Sequence, residues 1–208
     1  FTSLIDAKRG TANGWLCCTT TRFTNGLSRL AGNRPVSNAS AGGRIAEWRI
    51  EGRLLRFHAP NDMSQALIEA AETAEPETLA WLRRGNVGDV FYDVGASNGV
   101  FALYAAAVRD MRVVAFEAEA QNYALLETNL YLNKAATGVR PRAFCIAAGQ
   151  TLGASEMYCM RNAPGFHTKI LGRPVRVGET AEFMPDHVQS VLTLPLDESQ
   201  WNCLDQAR

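Results

Sequence analysis

Apolar and polar residues change their spacing several times along the chain, and each change marks an element. Residues 44–59, RIAEWRIEGRLLRFHA, carry Ile45, Trp48, Ile50, Leu55 and Phe57 as strand-forming bulk on either side of Glu51-Gly52. That pair suits a tight turn, so the segment predicts a β-hairpin. A helix is predicted after Asn61 or Asp62 through SQALIEAAETA. A second starts at Pro76, which is tolerated in a first helical turn, and closes at Gly85. From Asp89 the pattern alternates. DVFYDV is a strand, GVFALYAAAVRD a helix and MRVVAFE a strand. AQNYALLETNLYLNK is a helix with Tyr123, Leu126 and Leu130 on one face, and RPRAFCIAA is a third strand. Short strand–helix units of this kind predict an α/β fold with a parallel sheet covered by helices.

The flanks are less regular. Residues 1–43 lack sustained periodicity and are rich in Thr, Gly, Asn, Ser and Arg, which predicts a loosely ordered leader. Residues 149–188 read as an irregular insertion or hairpin with short β-like pieces such as SEMYCM. SVLTLPL is a late strand, and DESQWNCLDQ begins a helix. Three regions follow: 1–43 as leader, 44–85 as hairpin and helical cap, and 86–208 as a nucleotide-binding domain. The sheet order expected is 3-2-1, counted from DVFYDV. The other edge of DVFYDV is left open unless SVLTLPL takes it, so an exposed apolar edge is expected.

Composition narrows the classes. The 208 residues suffice for a sizeable core, and 47% apolar with 20% charged content is ordinary for a soluble domain. A formal net charge of zero gives no electrostatic case for nucleic acid or an anionic membrane. No apolar run reaches the roughly 20 residues that span a bilayer. Five cysteines, with only Cys17 and Cys18 adjacent, suggest neither a disulfide framework nor a zinc site and point to a reducing, cytoplasmic setting.

The chemistry concentrates in GDVFYDVGASNGVFALYAA, residues 88–106. A strand entering a glycine-rich turn and then a helix is a nucleotide-binding arrangement. Gly95 and Gly99 let backbone approach a ligand where a Cβ would collide. The spacing is not that of G-x-G-x-x-G, and Asp93 lies two residues before the first glycine. A carboxylate there would repel a pyrophosphate and suits a ligand with an ammonium group, such as S-adenosylmethionine. Glu117, closing the next strand, is placed to accept hydrogen bonds from ribose hydroxyls.

DVFYDVGASNGVFALYAA, VVAFEAEAQNYALLETNLYLNK and AEPETLAWL together resemble the FkbM-type family of S-adenosylmethionine-dependent methyltransferases, over roughly residues 44–198. Ser97 stands where the family usually has Asn, and Ala118 where it has Pro. TLPLDE answers a T-L-D element, and the family's following K-I-D-x-E-G strand is not reached, so the chain reads as C-terminally truncated. The resemblance implies a Rossmann-like, doubly wound, mostly parallel sheet of the class I methyltransferase type. It assigns Asp93, Gly95, Ala96, Ser97, Asn98 and Gly99 to the methionine end of the cofactor. Glu117, with Ala118 and Asn122 beside it, goes to the ribose, and Ile146 and Ala147 to the neighbourhood of the adenine. It also implies O-methylation of a hydroxyl on a sugar, glycan or natural product. The base is not assigned; His58 and His167 are candidates by chemistry alone. The alternatives are a truncated nucleoside-binding module without catalysis and an NAD-dependent oxidoreductase.

Overall fold

The computed structural model describes residues 43–176 and 178–196, together with the backbone of residues 15–19. The first strand, β1 (Trp15–Thr19), is followed by the hairpin β2 (Arg44–Ile50) and β3 (Arg53–Ala59). Glu51 and Gly52 both have positive φ, 46° and 77°, the combination that matches a two-residue turn to the twist of its strands. Helices α1 (Asp62–Glu69), α2 (Ala71–Ala74) and α3 (Pro76–Leu82) come next. The Asn61 side chain accepts the Ser64 N–H and caps α1, and Pro76 opens α3. The alternating part is β4 (Val90–Val94), α4 (Val100–Ala107), β5 (Arg112–Phe116), α5 (Ala120–Leu132) and β6 (Arg142–Phe144). After it stand β7 (Ala147–Ala148), β8 (Gly153–Cys159), β9 (Lys169–Leu171) and β10 (His187–Leu194). The chain is thus α/β, as its pattern predicts. The helix expected over DESQWNCLDQ lies outside the described residues.

The principal sheet has the order β1-β4-β5-β6 and is parallel throughout. The order β6-β5-β4 is the expected 3-2-1. The open edge is not found: β1 pairs in parallel with β4 along its length, from Trp15 opposite Val90 to Thr19 opposite Val94. The leader therefore supplies a strand; apart from Gly43, its other residues lie outside the described ones. In the second half the third strand departs from its expected form. RPRAFCIAA is not one strand. It breaks at Cys145-Ile146 into β6 in the principal sheet and β7 in another. The β-like piece SEMYCM falls largely within the seven-residue strand β8, which pairs antiparallel with β9 as the hairpin reading expects. SVLTLPL belongs to β10, which pairs antiparallel with β8 and parallel with β7 in a mixed sheet of order β7-β10-β8-β9.

The main core lies on one face of the principal sheet. Phe91, Val113 and Ala115 pack there with α3, α4, α5 and the hairpin residues Trp48, Leu55 and Phe57. Helix α4 is buried along its whole length and is apolar all round, because sheet and hairpin enclose it from opposite sides. The other face carries Val90, Val114 and Phe116 with the stacked rings of Tyr92, Phe116 and Phe144. Among the described residues both α4 and α5 contribute to the first face, so the expected winding of helices on both faces is not completed there.

Helix α5 also closes the free edge of the hairpin. Asn129 and Asn133, one turn apart, accept the backbone N–H groups of His58 and Arg56 at 2.7 and 2.9 Å. The Asn133 amide in turn donates to the Arg56 carbonyl. The burial of Asn129 and of the capping Asn133 is thereby explained: they satisfy an edge strand that would otherwise lose its hydrogen bonds to burial.

Candidate functional site

The turn between β4 and α4 is shaped by three residues in the left-handed region: Gly95 (φ 85°), Ser97 (φ 51°) and Gly99 (φ 84°). The β5 end holds it, because the Phe116 carbonyl accepts from both Gly95 N (2.8 Å) and Ala96 N (3.0 Å). On the far side, Asn129 donates to the Asn98 carbonyl at 2.8 Å. A Cβ on Gly99 would come within 2.5 Å of Leu126 Cδ1, so a side chain there would have to displace the end of Leu126 as well as adopt a left-handed backbone.

Asp93 lies at the end of β4 and is fully buried, and neither carboxylate oxygen has a hydrogen-bond partner. Burial, then the nearby acids Glu75 and Glu117, push its carboxyl up to about 7, against a smaller downward pull from the Ala102 backbone in the first turn of α4. Two more polar atoms of the same turn are buried without partners, the Ser97 hydroxyl and the Asn98 side-chain amide nitrogen. Native interiors rarely leave such groups unmatched, and a cluster of them marks a place where something else supplies the partners.

Glu117, at the end of β5, grips the turn. One carboxylate oxygen accepts Ser97 N at 2.8 Å and the other accepts Glu119 N at 2.8 Å. Burial raises its pKa, and these two backbone bonds and Lys169 work against that. Glu119 caps α5 by accepting Gln121 N and Asn122 N, both at 2.9 Å, and forms a buried ion pair with Lys169 of β9.

A cleft opens beside the turn, lined by Gly95, Ala96, Ser97, Asn98, Val100 and Phe101, with Leu67 and His167 opposite. Of the residues assigned to the cofactor from sequence, the four turn residues Gly95 to Asn98 line this cleft. Asp93 is not among the lining residues, and Gly99 heads α4. Glu117 joins the turn through Ser97. Asn122 is committed elsewhere, accepting Gly165 N at 2.7 Å. Ala118 offers its carbonyl to the Gln189 side chain at 2.8 Å. Ile146 and Ala147 stand in two different apolar clusters, Ile146 beside Phe144 and Leu194, Ala147 beside Met157 and Val191. None of these last four lines the cleft.

The two candidate histidines separate. His58 packs its ring against Gly43, away from the cleft, whereas His167 forms part of its wall. Sequence reasoning missed Glu75, a buried acid that acts on Asp93, although it stands in the EPET segment. It also missed Lys169, whose sequence surroundings give no sign of a buried cation. Among the described residues no group of three or more His, Cys, Asp and Glu side chains is placed to hold a metal ion, and no helix is long and apolar enough to cross a membrane. Neither the protein-family models nor the curated proteins include a match to this chain.

Proposed function

We propose that the protein is an S-adenosylmethionine-dependent methyltransferase of the FkbM type that O-methylates a hydroxyl on a sugar, glycan or natural product. The observation that carries this reading is the set of orphaned polar atoms at the glycine turn. Asp93 offers two unpaired acceptors, and Asn98 and Ser97 offer donors a few residues away. An α-amino acid needs that combination: acceptors for its ammonium and donors for its carboxylate. A pyrophosphate would meet the Asp93 charge and gain nothing from it, which disfavours a dinucleotide. The parallel strands β4, β5 and β6, with the turn at their C-terminal ends, suit the Rossmann-like class I arrangement in which this cofactor binds.

Asp93, Gly95, Ala96, Ser97, Asn98 and Gly99 would hold the methionine end. Glu117 would take the ribose hydroxyls; each of its oxygens accepts one backbone N–H and keeps a second lone pair. Ala118, Asn122, Ile146 and Ala147 would form the surroundings of the ribose and adenine. When bound, the cofactor supplies a methyl group on a cationic sulfur, and the chain's part is to fix that group in line with the acceptor oxygen.

Calorimetry tests the reading. S-adenosylhomocysteine should bind and NAD should not. Glu117→Gln should weaken binding by about 10-fold or more, the equivalent of one charge-assisted hydrogen bond of ~1.5–3 kcal/mol, while Glu127→Ala should leave it unchanged. Binding of NAD with no response to the sulfur nucleosides would overturn the assignment. Cofactor binding without methyl transfer to any hydroxylated acceptor would favour the non-catalytic nucleoside-binding module.

A further inference from the structure

The segment between β8 and β9 is fastened across the cleft at several points. The Pro164 carbonyl accepts from the Asn61 side chain at 2.9 Å and from the Ser64 hydroxyl at 3.3 Å, which ties it to the head of α1. Gly165 N donates to Asn122, and Asn162 accepts from Gln121, which ties it to α5. Lys169 then enters the buried pair with Glu119. His167 lies between these fastenings, and among the cleft-lining residues it is the one with an ionisable side chain.

We propose that His167 is the catalytic base of the methyl transfer, receiving the proton of the acceptor hydroxyl; this rests on the methyltransferase reading. Its position follows from anchors on both sides, so the ring is held at the wall of the cleft rather than carried on a free loop. Burial, and then the Lys169 charge, hold the imidazole down at about 4, which keeps it neutral and able to accept a proton at pH 7. A ring so weakly basic is sufficient. An ether that still carries its proton is a far stronger acid than imidazolium, so transfer late in the reaction runs downhill. The balance closes. The hydroxyl oxygen forms a bond to the methyl carbon as the carbon–sulfur bond breaks, and its electron pair stays on sulfur. The hydroxyl proton passes to a ring nitrogen of His167, and the positive charge of the sulfonium reappears as imidazolium. The products are a methyl ether and S-adenosylhomocysteine.

The first test needs no acceptor. S-adenosylhomocysteine added to the wild-type protein should move the imidazole proton resonances of His167 and leave those of His58 and His187 in place. The second uses S-adenosylmethionine with a panel of mono- and oligosaccharides. His167→Gln should lower turnover about 100-fold or more, keep S-adenosylhomocysteine affinity within ~3-fold and recover part of its rate with added imidazole. If the nucleoside binds by calorimetry and the His167 resonances do not move, the assignment is wrong, as it is if His167→Gln keeps the wild-type rate. If the nucleoside does not bind at all, the methyltransferase reading itself fails, and the base falls with it.

Discussion

At the residue scale, Asp93 sets a conflict between stability and ligand binding. A carboxyl raised to about 7 in the folded chain, against an ordinary value of 3.8, holds a proton that the unfolded chain has released. Stability from this group is therefore lost as pH rises from about 4 to about 7, and the full cost, on the order of 4 kcal/mol, stands above pH 7. Glu117 is shifted in the same direction and adds to the trend. Asp93→Asn should flatten the fall in unfolding free energy between pH 5 and pH 8, measured by urea denaturation, and make the ligand-free protein more stable at pH 8. It should at the same time weaken S-adenosylhomocysteine. An unchanged pH slope in the variant would mean that the charge is matched by a partner after all.

At the scale of elements, what could be read in advance depended on whether the deciding contacts were local. The hairpin was legible because its bulky positions and the Glu51-Gly52 turn are consecutive, and its strands pair from Arg44 opposite Ala59 to Ile50 opposite Arg53. The turn before α4 was legible because glycine suits the left-handed backbone at Gly95 and Gly99. The split of the third strand was not. An apolar run such as RAFCIAA fits either sheet, and which residues join which is decided by β5 and β10 far away in sequence. The fastening of His167 was equally hidden, since its partners Asn61, Ser64, Asn122 and Glu119 come from two distant helix starts and look like ordinary capping residues. Gly99 provides an element-scale test. Gly99→Ala should cost more than the roughly 1–2 kcal/mol of a left-handed alanine, because its Cβ also meets Leu126. Shortening Leu126 in the same chain should return part of that loss, and chemical denaturation of the single and double variants measures it. Additive losses would mean that the contact is relieved by other movements.

At the scale of the molecule, the cleft is walled by the glycine turn, α1 and the segment between two strands of the mixed sheet. The principal sheet supplies the glycine turn and Glu117, and the mixed sheet supplies Lys169 and frames the segment that carries His167. Lys169 reaches from β9 to the head of α5, so the ion pair joins the mixed sheet to that helix as well as neighbouring the site. Breaking a buried pair from one side typically costs ~3–5 kcal/mol, because the remaining charge is left without its partner.

The strand β1 has a consequence for the order in which the molecule assembles. It is made before the hairpin, yet its partner is β4, which emerges from the ribosome only after the hairpin and three helices. Loop-closure entropy makes such a distant pairing a late event. The β4–β5 unit with α4 between them can form first, from contacts close in sequence, and β1 then joins a surface already in place. A strand that joins last and, among the described residues, pairs with β4 alone is also the one that leaves first under native conditions. Amide hydrogen exchange should therefore find the β1 amides trading with solvent by local opening, well ahead of those of β4 and β5. Equal protection across the three strands would instead make β1 part of the first cooperative unit to fold.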